Sequence, residues 1–529
     1  MRALPLAALV LSCLSAAPAL AAGPPSPAAA LGFDASRANI PLGTFGVLAL
    51  PGELQLVVGH VGAIALGVVD PDVPGTLPAE DSVWLRARLS PALILVTPDA
   101  GPFALYRLAG EIDVLRNWLA VGSDRDALAA DPRGRVDEGL VGQRLSQLYL
   151  QAAGAHVAVQ LGLVRSRWGL GIVSNAGDDV APGDASSPFG VPLQGDHVVR
   201  AGVSFFPLTP PPPGDPTGAP LQASLAVDGV IDDDTASWSA GDRAYQMVAA
   251  VSGKLGVFRG GVYFAHRWQT DAGGGDTTVT VLDATVRLML AEEADLRAFL
   301  EGEVATIRGS SSLAQSLSHQ GSFDVDQLGG VARFGAHAGP FLGVLEVGVA
   351  SGDDNPFDDE LRGFSFDRDY RVGLLLFHEV LRADAAGSAY NVADPTYRGE
   401  PPRGYRRLAT LGAVRGASYA NPRVDFGLLD GDLHLMAGFL YAASDGEYVD
   451  PFWSGIAGGA PRGPRNGAPS RDLGWEVDLG ASLAVDAAPL QLRFRLEAAY
   501  CRPGSVFSDS AGRAPDEVLG AWAHVGVLW

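Results

Sequence analysis

The sequence predicts an all-β fold, a single large antiparallel transmembrane β-barrel with short periplasmic turns and long extracellular loops. Three observations carry that prediction. Apolar residues alternate with polar or small ones through most of the chain, as a wall requires when lipid touches one face and water the other. No segment makes a membrane helix of roughly 18–20 apolar residues; the nearest, Leu54 to Val69, contains His60 and is rich in glycine and β-branched residues. The chain closes on Leu519–Trp529, a strand-like segment ending in an aromatic residue.

Taken from the start, residues 1–22 read as a cleaved export signal. Arg2 supplies the positive start, Leu4 to Leu14 the apolar stretch, and Ala19-Leu20-Ala21-Ala22 the small residues of a cleavage site. Residues 23–41 read as a linker and 42–529 as the barrel. A lipoprotein would use Cys13, but Leu11 stands where a smaller residue is normal. With Cys13 removed only Cys501 remains, which excludes a disulfide framework.

The alternation is clearest near the end, where Leu473, Trp475, Val477, Leu479, Ala481, Leu483 and Val485 interleave with Asp472, Glu476, Asp478, Ser482 and Asp486. Beyond the turn Ala487-Ala488-Pro489, Leu490, Leu492, Phe494, Leu496, Ala498 and Tyr500 oppose Gln491, Arg493, Arg495 and Glu497. Upstream strands are expected at Val83–Leu89, Phe103–Arg116, Val157–Arg165, Val198–Phe206, Leu221–Ile231, Tyr245–Val257, Val262–Trp268, Thr277–Leu290 and Leu296–Thr306. Others are expected at Leu328–Ala338, Phe341–Ala350, Arg371–Arg382, Arg407–Val414 and Leu433–Ala442, with weaker ones near Gln143–Gln151 and within 42–69. The total is roughly 16–18 strands, enough for a water-filled lumen. Long polar stretches are expected as outer loops: Ser166–His197, Pro207–Ala219, Gly309–Asp326, Ser351–Asp369, and Ala383–Gly404 with Ser444–Arg471. Trp84, Trp118, Trp268, Trp475, Trp522 and Trp529 are expected in interfacial girdles.

Charge narrows the function. With net charge -22 and pI near 4.7, whole-chain electrostatics argue against nucleic acid as a partner. Lys254 is the only lysine, so the basic chemistry is almost all arginine. The best functional candidates are charges on the non-lipid side of strands. Arg86 and Arg88 alternate with Leu85, Ala87 and Leu89; Arg107, Glu111 and Asp113 oppose Leu108, Ile112 and Val114; Arg493 and Arg495 oppose Leu492, Phe494 and Leu496. Glu301 and Glu303 with Arg297, and Glu476 with Asp478, complete a lumen of both signs, suited to selecting solutes. Alternatively these charges pair with one another and merely solvate the wall. Arg165 and Arg167, beside Trp168-Gly169-Leu170-Gly171, are the candidates for a loop folded inward, because glycines permit tight backbone paths.

Acidic clusters at Asp178-Asp179, Asp232-Asp233-Asp234, Asp353-Asp354 and Asp358-Asp359-Glu360 do not match the spacing of a calcium loop, so they read as solvated loops and no metal is expected. There is no Gly-x-Ser-x-Gly elbow, no His-Glu-x-x-His pair and no phosphate-binding glycine loop. Neither an enzyme nor a cofactor is expected.

Arg165–Asp179, with its Trp-Gly-Leu-Gly stretch followed by Asn175 and acidic residues, resembles a myxobacterial outer-membrane barrel family of unassigned function. The likeness extends to Glu111–Asn117, Gly195–Arg200 and Arg371–Phe377. The layout is more distantly similar to the alginate-export porins, which implies a large monomeric barrel with a charged lumen. Family members carry cysteines in the loop after the asparagine motif; this chain has none between Cys13 and Cys501, so any site built on them is absent.

The reading is a passive, porin-like channel for small hydrophilic solutes. Its partners would be outer-membrane lipid and lipopolysaccharide, and the barrel-assembly machinery through the strand ending in Trp529. The rival is a non-channel surface barrel, an adhesin or structural protein, with loops plugging the lumen. A soluble secreted β-protein is the third possibility; it would appear in the aqueous fraction without detergent.

Overall fold

The computed structural model describes residues 39–42, 46–64, 81–98, 103, 105–114, 119–122, 144–178, 184–190, 195–209, 219–293, 295–355, 357–395 and 402–529. The expected export signal, most of the linker and Trp118 lie outside the described residues. Eighteen strands close one antiparallel barrel, each bonded to its neighbour and the last to the first. They are β1 (Gly52–Val61), β2 (Ser82–Pro98), β3 (Leu105–Asp113), β4 (Arg144–Ala153), β5 (Val157–Ser166), β6 (Asp196–Phe205), β7 (Gln222–Asp232), β8 (Arg243–Leu255) and β9 (Phe258–Thr270). The circuit continues through β10 (Asp276–Glu292), β11 (Leu296–Ser311), β12 (Phe323–Ala338), β13 (Phe341–Ala350), β14 (Ala417–Leu428), β15 (Leu433–Tyr448), β16 (Ser470–Ala487), β17 (Leu490–Pro503) and β18 (Val518–Leu528).

The first and last strands of the barrel meet at a seam. Trp529 and Gly52 exchange two backbone hydrogen bonds of 3.1 Å, and β18 pairs with β1 from Gly520–Val61 to Leu528–Glu53. A short strand, Val47–Ala49, precedes β1 and pairs with the far half of β2, so the two behave as one strand interrupted at Leu50-Pro51. Proline brings no N–H to a ladder, which accounts for the break.

The rim at Trp529 carries mostly short turns, such as 256–257, 339–340 and 488–489; the opposite rim carries the longer excursions 167–195, 351–416 and 449–469. Of the expected outer loop Pro207–Ala219, residues 210–218 lie outside the described residues, but the described strand ends on either side of it fall on the short-turn rim. β6 ends with Phe205 opposite Val157 and Ala223, on the short-turn rim. Polar, proline-rich composition marks a connection but not the rim on which it falls.

Alternation sets the two faces. Along β16, Glu476 and Asp478 are 0 % exposed while Leu479, pointing outward, is 55 % exposed. Leu225 and Val227 bracket the outer face of β7 in the same way, with Asp228 inside. Leu282 lies midway along β10, facing out beside Phe264 of β9. Replacing Leu282 with arginine is expected to cost ~2–4 kcal/mol, the cost of a guanidinium at mid-depth, measured by reversible denaturant unfolding in lipid.

Outside, Trp475 stacks against Phe439 and Tyr500, at 6.2 and 5.5 Å between ring centroids, and Trp268 is exposed. Trp84 and Trp522, expected in the girdles, are instead buried inside. Each lies over an inward-facing glycine: a Cβ on Gly59 would fall 2.2 Å from the Trp84 ring, and one on Gly520 2.4 Å from that of Trp522. The missing side chains open room for the indoles within the lumen.

Two expected strands are absent. Arg371–Arg382 and Arg407–Val414 both belong to the 351–416 excursion, which turns into the barrel as a π-helical segment, Leu376–Leu381, followed by α1 (Arg382–Val392) and a 3-10 turn, Tyr405–Leu408. The unbroken apolar run Leu374–Phe377 is buried whichever way it points, so strand periodicity cannot be read from it. The strand that closes this part of the wall is β14, interrupted in sequence by Asn421-Pro422. Its ladder to β15 skips those two residues, and the Asn421 side-chain amide donates to Phe439 O at 3.0 Å instead.

Candidate functional site

The lumen is shaped by two excursions held to the wall by the same device. In the first, 167–195, the backbone turns through Gly169 at φ 55° and presents the N–H groups of Leu170 and Gly171 to the Glu303 carboxylate of β11, the latter at 3.1 Å. A Cβ on Gly169 would meet that carboxylate at 2.4 Å. Trp168 Nε1 donates to Asp283 of β10 at 3.0 Å, and its ring stacks on Tyr263 of β9. Further along, Arg333 of β12 donates to Ser186 Oγ at 3.2 Å, Arg423 of β14 to Ala185 O at 2.7 Å, and Arg495 of β17 to Pro188 O and Gly190 O at 3.0 and 2.8 Å. The loop therefore crosses the lumen, contacting both flanks of the barrel.

In the second, 351–416, Gly373 at φ 70° aims three successive N–H groups at Glu476 of β16. Leu374 and Leu375 donate to Oε1 at 2.5 and 2.8 Å and Leu376 to Oε2 at 2.6 Å. Carboxylates satisfy clustered backbone donors well because the bonds are charge-assisted. Behind this anchor Phe364, Phe366, Leu375, Leu376 and Phe377 pack with Val57, Leu440 and Trp522 of the wall and with Phe507. Each such side chain taken from water contributes ~1.5–3 kcal/mol. The inner wall is thus apolar where the excursion seats, a departure from the expected polar lumen.

The structure places the fourteen candidate charges as follows. Arg86, Arg88, Arg107, Glu111, Asp113, Glu301, Glu303, Glu476, Asp478 and Arg495 are buried on the inner side. Glu303 and Glu476 anchor the loops rather than face open water, a correction to their expected place along an open lumen. Arg88 reaches Asp113 at 3.2 Å and Glu111 at 3.8 Å; Arg165 joins Glu111 at 2.7 Å to Asp178 at 3.3 Å, with Arg167 3.7 Å from Asp178. Glu301 is shared by Arg287 and Arg333, at 3.0 and 3.3 Å. Arg107 lies over the Tyr149 ring with Nε and Nη1 unbonded. Arg297, opposite His337, and Arg493, which donates to Gln491 at 3.0 Å, lie toward the short-turn rim.

Between the excursions and the wall of β2 and β18 is a small cavity of about 30 Å³ bounded by Trp84, Arg86, Arg371, His378, Trp522 and His524. Arg86 lies 4.4 Å over the Trp84 ring, and His524 is fixed by Glu497 at 2.6 Å. The one carboxylate on its border among the described residues, Glu379, is paired with Arg382 at 2.8 Å. The cavity is therefore lined mainly by basic side chains and flanked by two indoles. Nearer the loop rim, a larger cavity of about 170 Å³ is bordered by Asp353, Asp358, Glu360, Asp445 and Glu447, with Arg415 as its one basic residue among the described residues.

No protein-family model matches the chain, and no curated protein does. Three solved barrels of Pseudomonas aeruginosa are similar to it in fold. OpdK, solved with vanillate, is 11 % identical with a TM-score of 0.46, over 91 % of this chain and 98 % of that one. OccK11 (OpdR) is 11 % identical with a TM-score of 0.42, over 90 % and 95 %. OccK5 (OpdH) is 9 % identical with a TM-score of 0.42, over 91 % and 98 %.

Several residues at this site escape sequence reasoning. Glu346 accepts from Arg333 at 2.7 Å, from Arg423 at 3.1 Å and from the Tyr419 hydroxyl at 2.6 Å, all inside. Arg333 and Glu346 sit in strands with the same alternation as the chosen charges, so phase alone would have found them. Arg371 and His378 carry no such signal, because the expected strand Arg371–Arg382 lies in the 351–416 excursion.

Proposed function

We propose that this protein is an outer-membrane channel through which hydrophilic solutes diffuse passively, with the basic passage between the 351–416 excursion and the β2 and β18 wall as its selective section. The observation that carries this reading is the set Arg86, Arg371, His378 and His524 around one space inside a closed, lipid-faced barrel. A narrow section bounded by low-dielectric walls focuses the field of its own charges, so it governs selectivity even beneath an acidic mouth. Anions are the favoured solutes. The short-turn rim would face the periplasm, the strand ending in Trp529 would serve recognition by the assembly machinery, and residues 1–22 would direct export. No reaction is proposed for the chain, and the myxobacterial resemblance adds no substrate.

The apolar packing of the 351–416 excursion inside the barrel favours a second reading, a loop-plugged surface barrel. Single-channel recording in a planar bilayer under a salt gradient separates the two. Conductance steps with a reversal potential of anionic sign are expected; cation preference would overturn the assignment of the basic passage. A silent barrel that conducts only after 351–416 is removed would favour the plug.

A further inference from the structure

Arg107 of β3 faces inward and is 3 % exposed, yet among the described residues its guanidinium has no carboxylate within ion-pair reach and no acceptor for Nε or Nη1. Arg88, Arg333, Arg423 and Arg495 are buried to a comparable degree, and each is paired: Arg88 with Asp113 at 3.2 Å, Arg333 and Arg423 with Glu346 at 2.7 and 3.1 Å, and Arg495 with Glu497 at 3.7 Å. On Arg107's own strand the nearest inward carboxylate is Glu111, which already accepts from Arg165 at 2.7 Å and from Gln147 at 3.0 Å. What surrounds Arg107 is apolar or neutral. Val96 stands opposite it on β2 and Gln151 on β4, Ala109 follows on the same face, and the guanidinium lies 5.5 Å from the centre of the Tyr149 ring. Gln151 is also buried, and its Oε1 likewise lacks a partner among the described residues.

We propose that Arg107, Gln151 and Tyr149 form a binding site for a small oxyanion, phosphate or a carboxylate, held as a resident ligand of the inner wall. A guanidinium stays charged at any pH the cell meets, and a buried charge without a counterion is strongly unfavourable. The face of the Tyr149 ring supports the cation from one side but supplies no acceptor. An oxyanion does supply one: its oxygens accept from the guanidinium fork. Turned about its last bond, the Gln151 amide presents an N–H2 in place of Oε1, so it donates to the same ligand. The site is separate from the basic passage and does not rest on the channel reading, because Val96, opposite Arg107, lies ten residues along β2 from Arg86, ~33 Å of strand.

The test is reversible urea unfolding of the refolded, lipid-inserted barrel, with inorganic phosphate or acetate titrated in turn while chloride holds the ionic strength constant. A ligand bound by the folded state alone lowers the unfolding constant about tenfold for each tenfold of concentration above its Kd, and the wild-type barrel should respond in this way to at least one of the two. A response to phosphate alone assigns the site to an inorganic ligand, and one to acetate assigns it to a carboxylate. Arg107→Met should be indifferent to both. Gln151→Glu sets a carboxylate opposite the guanidinium, so without added oxyanion it should unfold with a constant at least about tenfold below that of wild type, and it should no longer respond to the titration. A wild-type barrel indifferent to both anions overturns the site, and so does an equal response in all three proteins, which is the general action of salt on folding. Should Arg107→Met lose the heat-modifiable migration of a folded barrel, Gln151→Glu carries the test.

Discussion

Replacing Glu476 with alanine is expected to release the 351–416 excursion and raise single-channel conductance at least about twofold. Three N–H groups lose their acceptor together, and each buried donor left without a partner costs ~1–3 kcal/mol. The penalty falls on the docked excursion alone, since the released one finds water. Glutamine, with one acceptor oxygen and no charge, should give an intermediate effect. The same proteins should show faster proteolysis within 351–416 while the strands stay protected. Unchanged conductance together with unchanged cleavage would mean that apolar packing alone seats the excursion.

The second large effect is expected at Arg86. Arg86→Glu reverses one charge at the basic passage, a change of two unit charges for any ion passing beside it. At ~6 Å in a water-filled section each unit is worth ~0.7 kcal/mol, so an anion's barrier should rise by ~1.4 kcal/mol and a cation's fall by as much, and the anion-to-cation permeability ratio should fall about a hundredfold at low salt. The shift should shrink as ionic strength rises. Arg493→Glu, at the short-turn rim and exposed, is the matched control and should move the ratio far less. Equal shifts from both substitutions would place the selective section elsewhere.

How much of this was legible in the sequence depends on which force sets each feature. The wall was legible because lipid imposes a period of two on every strand, so the inward phase of Arg86, Arg88 and Glu111 followed from their neighbours. The contents of the lumen were not. Leu374–Phe377 packs on all sides, and a residue with no solvent face leaves no period to read. β14 was hidden by Asn421-Pro422, whose lost backbone donor is replaced by a side chain from the same strand. Glu303 and Glu476 were legible as inward carboxylates but not as anchors, since their partners are backbone N–H groups 132 and 133 residues apart for Gly171 and Leu170, and about a hundred apart for Leu374–Leu376. The arginine, histidine and tryptophan groups of the basic passage come from β2, β18 and the excursion, which only the closed circuit brings together.

That circuit is completed by its first and last strands. Until Leu528 finds Glu53 the sheet is a ribbon with two bare edges, and no earlier pairing can substitute for this one, because every other strand already has both neighbours. Backbone groups on such edges have no partners in hydrocarbon. A chain shortened before β18 would therefore strand an otherwise finished wall half-open, and insertion and final zipping should proceed as a single event rather than in sequence.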